Sequence, residues 1–190
     1  NIRRNIGHYE GSIVDRTNTQ NLVDTMDVSG FIWPVDQSKI VRFTKGTGRG
    51  FGDRRSNGTR YHAGCDLYAP RKTKVFAVTY GRIVNYYPFY KSGTYPYDYA
   101  YCLMINYGHF VMNHGEILRD LPKGIGIGTI VQPGELIGYL SSCNMQHTEI
   151  YCNTETRNKA WYKGSGQPST LCDPTTFLIN LAKSNGVTIA

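Results

Sequence analysis

The chain has 190 residues, with 21 Lys and Arg against 14 Asp and Glu, a net charge of +7. That length suits one domain whose core stands without help from disulfides. No apolar run approaches the roughly 20 residues of a membrane helix, and the first residues, NIRRNIGHYEG, hold no apolar stretch of a secretory leader.

Tyr is frequent at 15 residues and Gly at 21, and runs such as KVFAVTYGRIVNYY and YAYCLMINY are rich in β-forming types. The expectation is a mostly β, single-domain protein with short helices at its ends. Residues 1–30 read as a polar N-terminal arm or linker, with a short helix at NTQNLVDTM and a boundary at Gly30. The arm, which carries His8 and several Asn, either packs on the domain or joins it to a larger assembly. The domain itself spans 31–190.

GFGDRRSNGTRY reads as a loop, so His62 leaves a loop and Asp66 enters the strand CDLYAP. The insertion at 86–99, rich in Tyr, is expected to wall a groove. NMQHTEIYC alternates as a strand, which puts Met145, His147 and Glu149 on one face and Gln146, Thr148 and Ile150 on the other. DPTTFLINLAKSNG closes the chain as a helix, with Asp173 as cap, Pro174 in the first turn and Gly186 beyond the end.

Two His and a carboxylate suit Zn²⁺, which prefers about four tetrahedral ligands and, in catalytic sites, keeps one place for water. The segments FIWPV, RGFGDRR, HAGCD, FAVTYGRIV, FVMNHGE, IVQPGELIGYL and MQHTEI follow one another from about Phe31 to Leu178. In that order they resemble the LytM-type, or M23, zinc metallopeptidases, the lysostaphin-like enzymes that cleave peptidoglycan. The resemblance implies an antiparallel β-sheet domain, Zn²⁺ held by His62, Asp66 and His147, and His114 as the residue that holds or activates the attacking water. It also implies a peptidoglycan or other peptide substrate and an extracellular, periplasmic or wall-associated location.

The chain departs from that pattern in two places. Met145 stands where the family has the first His of HxH, its other catalytic histidine, and Met112 where it has the Tyr of YxH. A thioether neither takes nor gives a proton near neutral pH, and loss of one acid–base group costs about 10²–10⁴ in rate. Either a neighbour such as His109, Tyr107, Tyr61 or Glu149 replaces it, or the enzyme works with His114 alone, or the domain has become a binding or regulatory module. A shifted alignment, with His147 as the first His, would make Glu149 the third ligand.

The basic residues are dispersed, as in TKGTGRGFGDRR and APRKTK, without a recognised nucleic-acid motif. The net charge of +7 suits an anionic partner, for which the acidic polymers of a bacterial wall qualify, and the dispersal without a motif makes nucleic acid the less expected one. A metal-free, basic carbohydrate- or nucleic-acid-binding protein is the third reading. Of five Cys, Cys152 and Cys172 bracket a long polar segment, and a bridge there is the expected pairing.

Overall fold

A computed structural model describes residues 15–36 and 40–190, apart from the side chain of Ile40. His8 and the rest of the arm's first 14 residues lie outside it. The elements in chain order are α1 (Arg16–Thr25), β1 (Ile40–Val41), β2 (Arg54–Arg55), β3 (Arg60–Tyr61), β4 (Cys65–Tyr68), β5 (Lys74–Phe76), β6 (Gly81–Lys91) and β7 (Tyr99–Asn106). Then come β8 (Phe110–Ile117), β9 (Ile130–Val131), β10 (Leu136–Tyr139), β11 (Met145–Cys152), β12 (Trp161–Tyr162), β13 (Leu171–Cys172), α2 (Thr175–Ser184) and β14 (Thr188–Ile189).

The expected mostly β domain is what forms. One antiparallel sheet runs β13-β11-β8-β7-β6-β9, and β4 pairs with the first half of β11. Smaller sheets join β12-β3-β2 and β10-β5, and β1 lies parallel to β14. The long central strands are buried on both faces: β8 is buried throughout, and β11 from Gln146 onward, with Met145 half-buried. One face packs a core that includes Leu67, Leu103, Ile105, Phe110, Met112 and Ile150. The other floors a groove, so the same alternation that builds the core delivers polar side chains upward.

The short helices sit together at one side. In α1, Asp15 caps through Thr17 N–H at 2.9 Å, Val23 and Thr19 are buried, and Arg16 reaches the carbonyl of Pro168 at 3.0 Å. Residues 16–30 therefore dock on the sheet. In α2, Asp173 Oδ1 accepts from Thr175 N–H at 2.9 Å, the cap expected from sequence. The expected bridge is absent: Cys152 and Cys172 are free thiols. Both are buried, Cys152 accepting from Thr19 Oγ1 at 3.5 Å. They end neighbouring strands, a closeness of small apolar side chains that sequence spacing reads as a covalent link. Among the described residues no helix is long and apolar enough to cross a membrane.

Candidate metal centre

His62, Asp66 and His147 meet at the floor of the groove. Register does most of the work. β4 runs antiparallel to β11 with Asp66 directly opposite His147, and directly opposed residues share a face. His62 follows β3 and is tied down by its own backbone, its N–H to Asp53 O and its carbonyl to Gly52 N–H, both at 2.8 Å. Asp53 in turn gathers the N–H groups of Gly46, Gly48 and Gly50 at 2.7–2.9 Å, which fixes the loop ahead of the site.

Gly64, between His62 and Asp66, must be Gly for a steric reason. A Cβ there would lie 2.0 Å from the Thr148 carbonyl oxygen, so β4 could not approach β11.

Proton bookkeeping shows what the cluster wants. His62 Nδ1 lies 2.9 Å from the Gly50 carbonyl, which can only accept, so the ring proton sits there and Nε2 is bare. His147 Nε2 faces Glu149 Oε2 at 3.3 Å, which places its proton on Nε2 and bares Nδ1. These two lone pairs and Asp66 Oδ1 converge: Nε2 to Oδ1 3.1 Å, Nδ1 to Oδ1 2.9 Å, and Nε2 to Nδ1 3.1 Å. Three acceptors at such distances call for a cation, and His, Asp, His is an ordinary zinc donor set.

The charges around the cluster favour a positive charge there. Burial opposes charge on His147, but the Glu149 and Asp66 carboxylates outweigh it and raise its pKa well above the imidazole range. Burial likewise opposes charge on Asp66, yet the hydrogen bond to His147 and the nearby His62 ring hold it well below the usual carboxylate range. Arg55 stands 3.4 Å from the other oxygen of Asp66.

Glu149 stands outside the cluster of His62, Asp66 and His147, against the far nitrogen of His147. Asn113 Nδ2 donates to its Oε1 at 2.6 Å, and its other oxygen holds His147 in the tautomer a metal needs, the outer carboxylate that ligating imidazoles commonly carry.

His114 is not brought to this site. It lies opposite Thr148, whereas His147 lies opposite Gly115. A Cβ on Gly115 would touch the His147 side chain at 3.2 Å, so Gly115 faces the groove and His114 faces the core. There it is fully buried, with Tyr107 Oη at 2.8 Å from Nε2 and the Gln146 amide at 3.2 Å from Nδ1. Burial pushes its pKa down to about 3, which leaves a neutral core imidazole. The water-activating role expected of it is corrected accordingly: strand alternation turns it away.

Of the candidates to replace the missing histidine, Tyr107 lies in the core with His114. Tyr61 and Glu149 line the groove, and His109, in the turn between β7 and β8, does not. The groove encloses about 450 Å³. One wall is Tyr61 against Trp161, ring centroids 5.0 Å apart. The other is Phe89, stacked parallel to His147 at 6.2 Å, with Tyr90 beside it. The insertion at 86–99 thus supplies a wall through its first strand, while Tyr97 at its tip lies under Arg71. Sequence reading missed Arg55, Asn113 and Glu116.

No family model and no curated protein matches the chain. Solved structures do. CbpA from L. salivarius REN matches with a TM-score of 0.52 at 18% identity, over 83% of this chain and 99% of that one. The catalytic domain of the antimicrobial peptidase lysostaphin from Staphylococcus simulans gives 0.46 at 24%, over 70% and 90%. A zinc-containing peptidase from Vibrio cholerae gives 0.47 at 17%, over 68% and 40%. The structural neighbours are M23/LytM-family peptidases, alike in fold at low identity. The chain spans 38% to 51% of the length of the first three solved structures it matches.

Proposed function

We propose that the chain is a zinc-dependent endopeptidase acting on the peptide bridges of peptidoglycan, outside the cytoplasmic membrane or at the cell wall. One observation carries the reading: three potential ligand atoms, His62 Nε2, Asp66 Oδ1 and His147 Nδ1, converge at the floor of an open groove. The naming of one structural neighbour as a zinc-containing peptidase and another as an antimicrobial peptidase supports the choice of metal and reaction class. Zn²⁺ bound there would supply polarisation of the scissile carbonyl and a bound water acidified toward a pKa of about 7.

The chain's own residues do the rest. Gly50 and Glu149 hold the two imidazoles in the ligating tautomer, and Arg55 braces Asp66. An extended peptide lies between the Tyr61–Trp161 wall and the Phe89–Tyr90 wall, with its scissile bond over the triad. The surrounding basic surface favours the acidic polymers of a wall.

Met145, which lines the groove beside His147, favours a second reading: an impaired relative that binds wall peptides or a protein partner. Zinc analysis and digestion of purified peptidoglycan test both. About one zinc per chain, lost in His147→Ala, with peptides released by the wild type, is the expected result. Less than about 0.2 zinc per chain, unchanged by His147→Ala, refutes the metal site. Bound zinc without product from the wild type, and product from Met145→His, would establish the binder.

A further inference from the structure

The proton-handling residue is the missing part of this site, and the fold supplies one at a position no motif marks. β8 carries a bulge. Against β7, His114 pairs with Leu103 and Ile117 with Tyr101, so two residues, Gly115 and Glu116, stand opposite the single residue Cys102. His114 and Ile117 both face the core, which turns both residues of the bulge toward the groove. Glu116 is held at a φ of 67°, a left-handed conformation unusual for a residue with a side chain, and its carbonyl is fastened by Ser141 N–H at 2.8 Å. Bulges re-aim side chains beside active sites, and strain of this kind persists where the surroundings enforce it.

The carboxylate so aimed is buried, yet it lines the groove together with His147 and Met145. Tyr90 Oη donates to its Oε2 at 2.5 Å and lies 2.8 Å from Cys143 Sγ. Burial, and then the charge of Glu116, keeps the Tyr90 phenol protonated far above its ordinary range, so it stays a donor. Glu149 is less suited to proton transfer, since both its oxygens are engaged by Asn113 and His147. Without the bulge, Ile117 would be the cross-strand partner of Met145; with it, Glu116 stands at that end of the groove.

The structure assigns Glu116 as the proton acceptor and donor for the attacking water, in place of the imidazole absent at Met145. This rests on the endopeptidase reading. The carboxylate takes one proton from the water as its oxygen bonds to the scissile carbonyl carbon. It returns that proton to the amide nitrogen as the C–N bond breaks, and the water's second proton stays on the new carboxyl group. Tyr90 positions Glu116.

Two measurements decide it. With zinc-loaded protein and purified peptidoglycan, Glu116→Gln should keep its zinc and lose about 10²–10⁴ in kcat/KM. A crystal structure of the zinc-loaded wild type should show a metal-bound water within about 3.2 Å of a Glu116 oxygen, or one further water away. Active wild type with a fall smaller than about 10²-fold in Glu116→Gln overturns the assignment and leaves the endopeptidase reading standing. If the wild type releases nothing, the endopeptidase reading fails by itself. The crystallographic distance then decides whether Glu116 faces the metal's open place, as it does if Glu116→Gln does not fold, and a carboxylate outside that reach overturns the assignment.

Discussion

Replacing His114 with Gln should flatten the acid limb of the stability curve while leaving the metal site intact. In the folded protein burial pushes the His114 pKa down to about 3, against about 6.5 in an unfolded chain. Its folded pKa is thus depressed, so between those values the unfolded state binds the extra proton and stability falls as pH drops below about 6.5. Each pH unit in that window costs about 1.4 kcal/mol once the unfolded imidazole is largely protonated. From pH 6.5 to 4.5 the loss attributable to His114 is about 2 kcal/mol, with no discount for solvent because the side chain is fully buried. The raised pKa of His147 acts in the other direction and above pH 6.5, and the depressed Asp66 below about pH 4, so both lie outside the window and cancel between variants. Urea unfolding in EDTA at the two pH values, for wild type and His114→Gln, reads the difference. The variant should be less stable at pH 6.5, since Tyr107 Oη loses its imidazole partner, yet lose about 2 kcal/mol less than wild type on acidification. Parallel losses in the two proteins, or loss of zinc by the variant, would refute the placement of His114 in the core.

Three further outcomes follow from the geometry. Gly64→Ala puts a Cβ 2.0 Å from the backbone carbonyl of Thr148; the resulting separation of β4 from β11 should cost about 1–3 kcal/mol or more in denaturant unfolding and lower the zinc content. Unchanged stability would show that the two strands are not in that register. Glu149→Gln should weaken zinc binding about 10–100-fold in competition with a chromophoric chelator, because it removes the charge that orients His147, and an unaltered affinity would sever Glu149 from the site. Zinc must also displace the proton that Glu149 and Asp66 keep on His147. Apparent zinc affinity should therefore rise on the order of tenfold per unit between pH 6 and 7, and a flat profile would mean that His147 binds no proton there.

The mostly β fold and the meeting of His62, Asp66 and His147 were legible in the sequence because both depend on local pattern. The alternation in NMQHTEIYC puts His147 and Glu149 on one face, and the 3.3 Å contact between His147 Nε2 and Glu149 Oε2 bears it out. His62 and Asp66 are close along the chain. His114 was not legible in the same way. Its place in a motif gives its position along β8, but its face depends on whether it falls odd or even against β11, and pairing Thr148 with His114 settles that only in three dimensions. A one-residue offset exchanges core and groove along a whole strand. The pairing of Cys152 with Cys172 failed for a related reason: spacing reports that two thiols can meet, not that they bond.

The same period-two logic explains where the compensating residue sits. Along β8 the groove-facing positions are Asn113 and then Gly115, and neither can handle a proton: Asn113 is spent on Glu149, and Gly115 has no room for a side chain beside His147. A regular strand would next offer the groove Ile117, an apolar residue that instead belongs to the core. Only an inserted residue can present a carboxylate at that end without exposing Ile117, and the bulge makes Glu116 that residue. Met145 and Glu116 are coupled on this account. With an imidazole at 145 the bulge would carry a second acid–base group beside the first, and with methionine it carries the only one of the pair. In Met145→His, Glu116→Gln should therefore cost far less activity than it does in the wild-type background, and equal losses in the two backgrounds would show that the residues act independently.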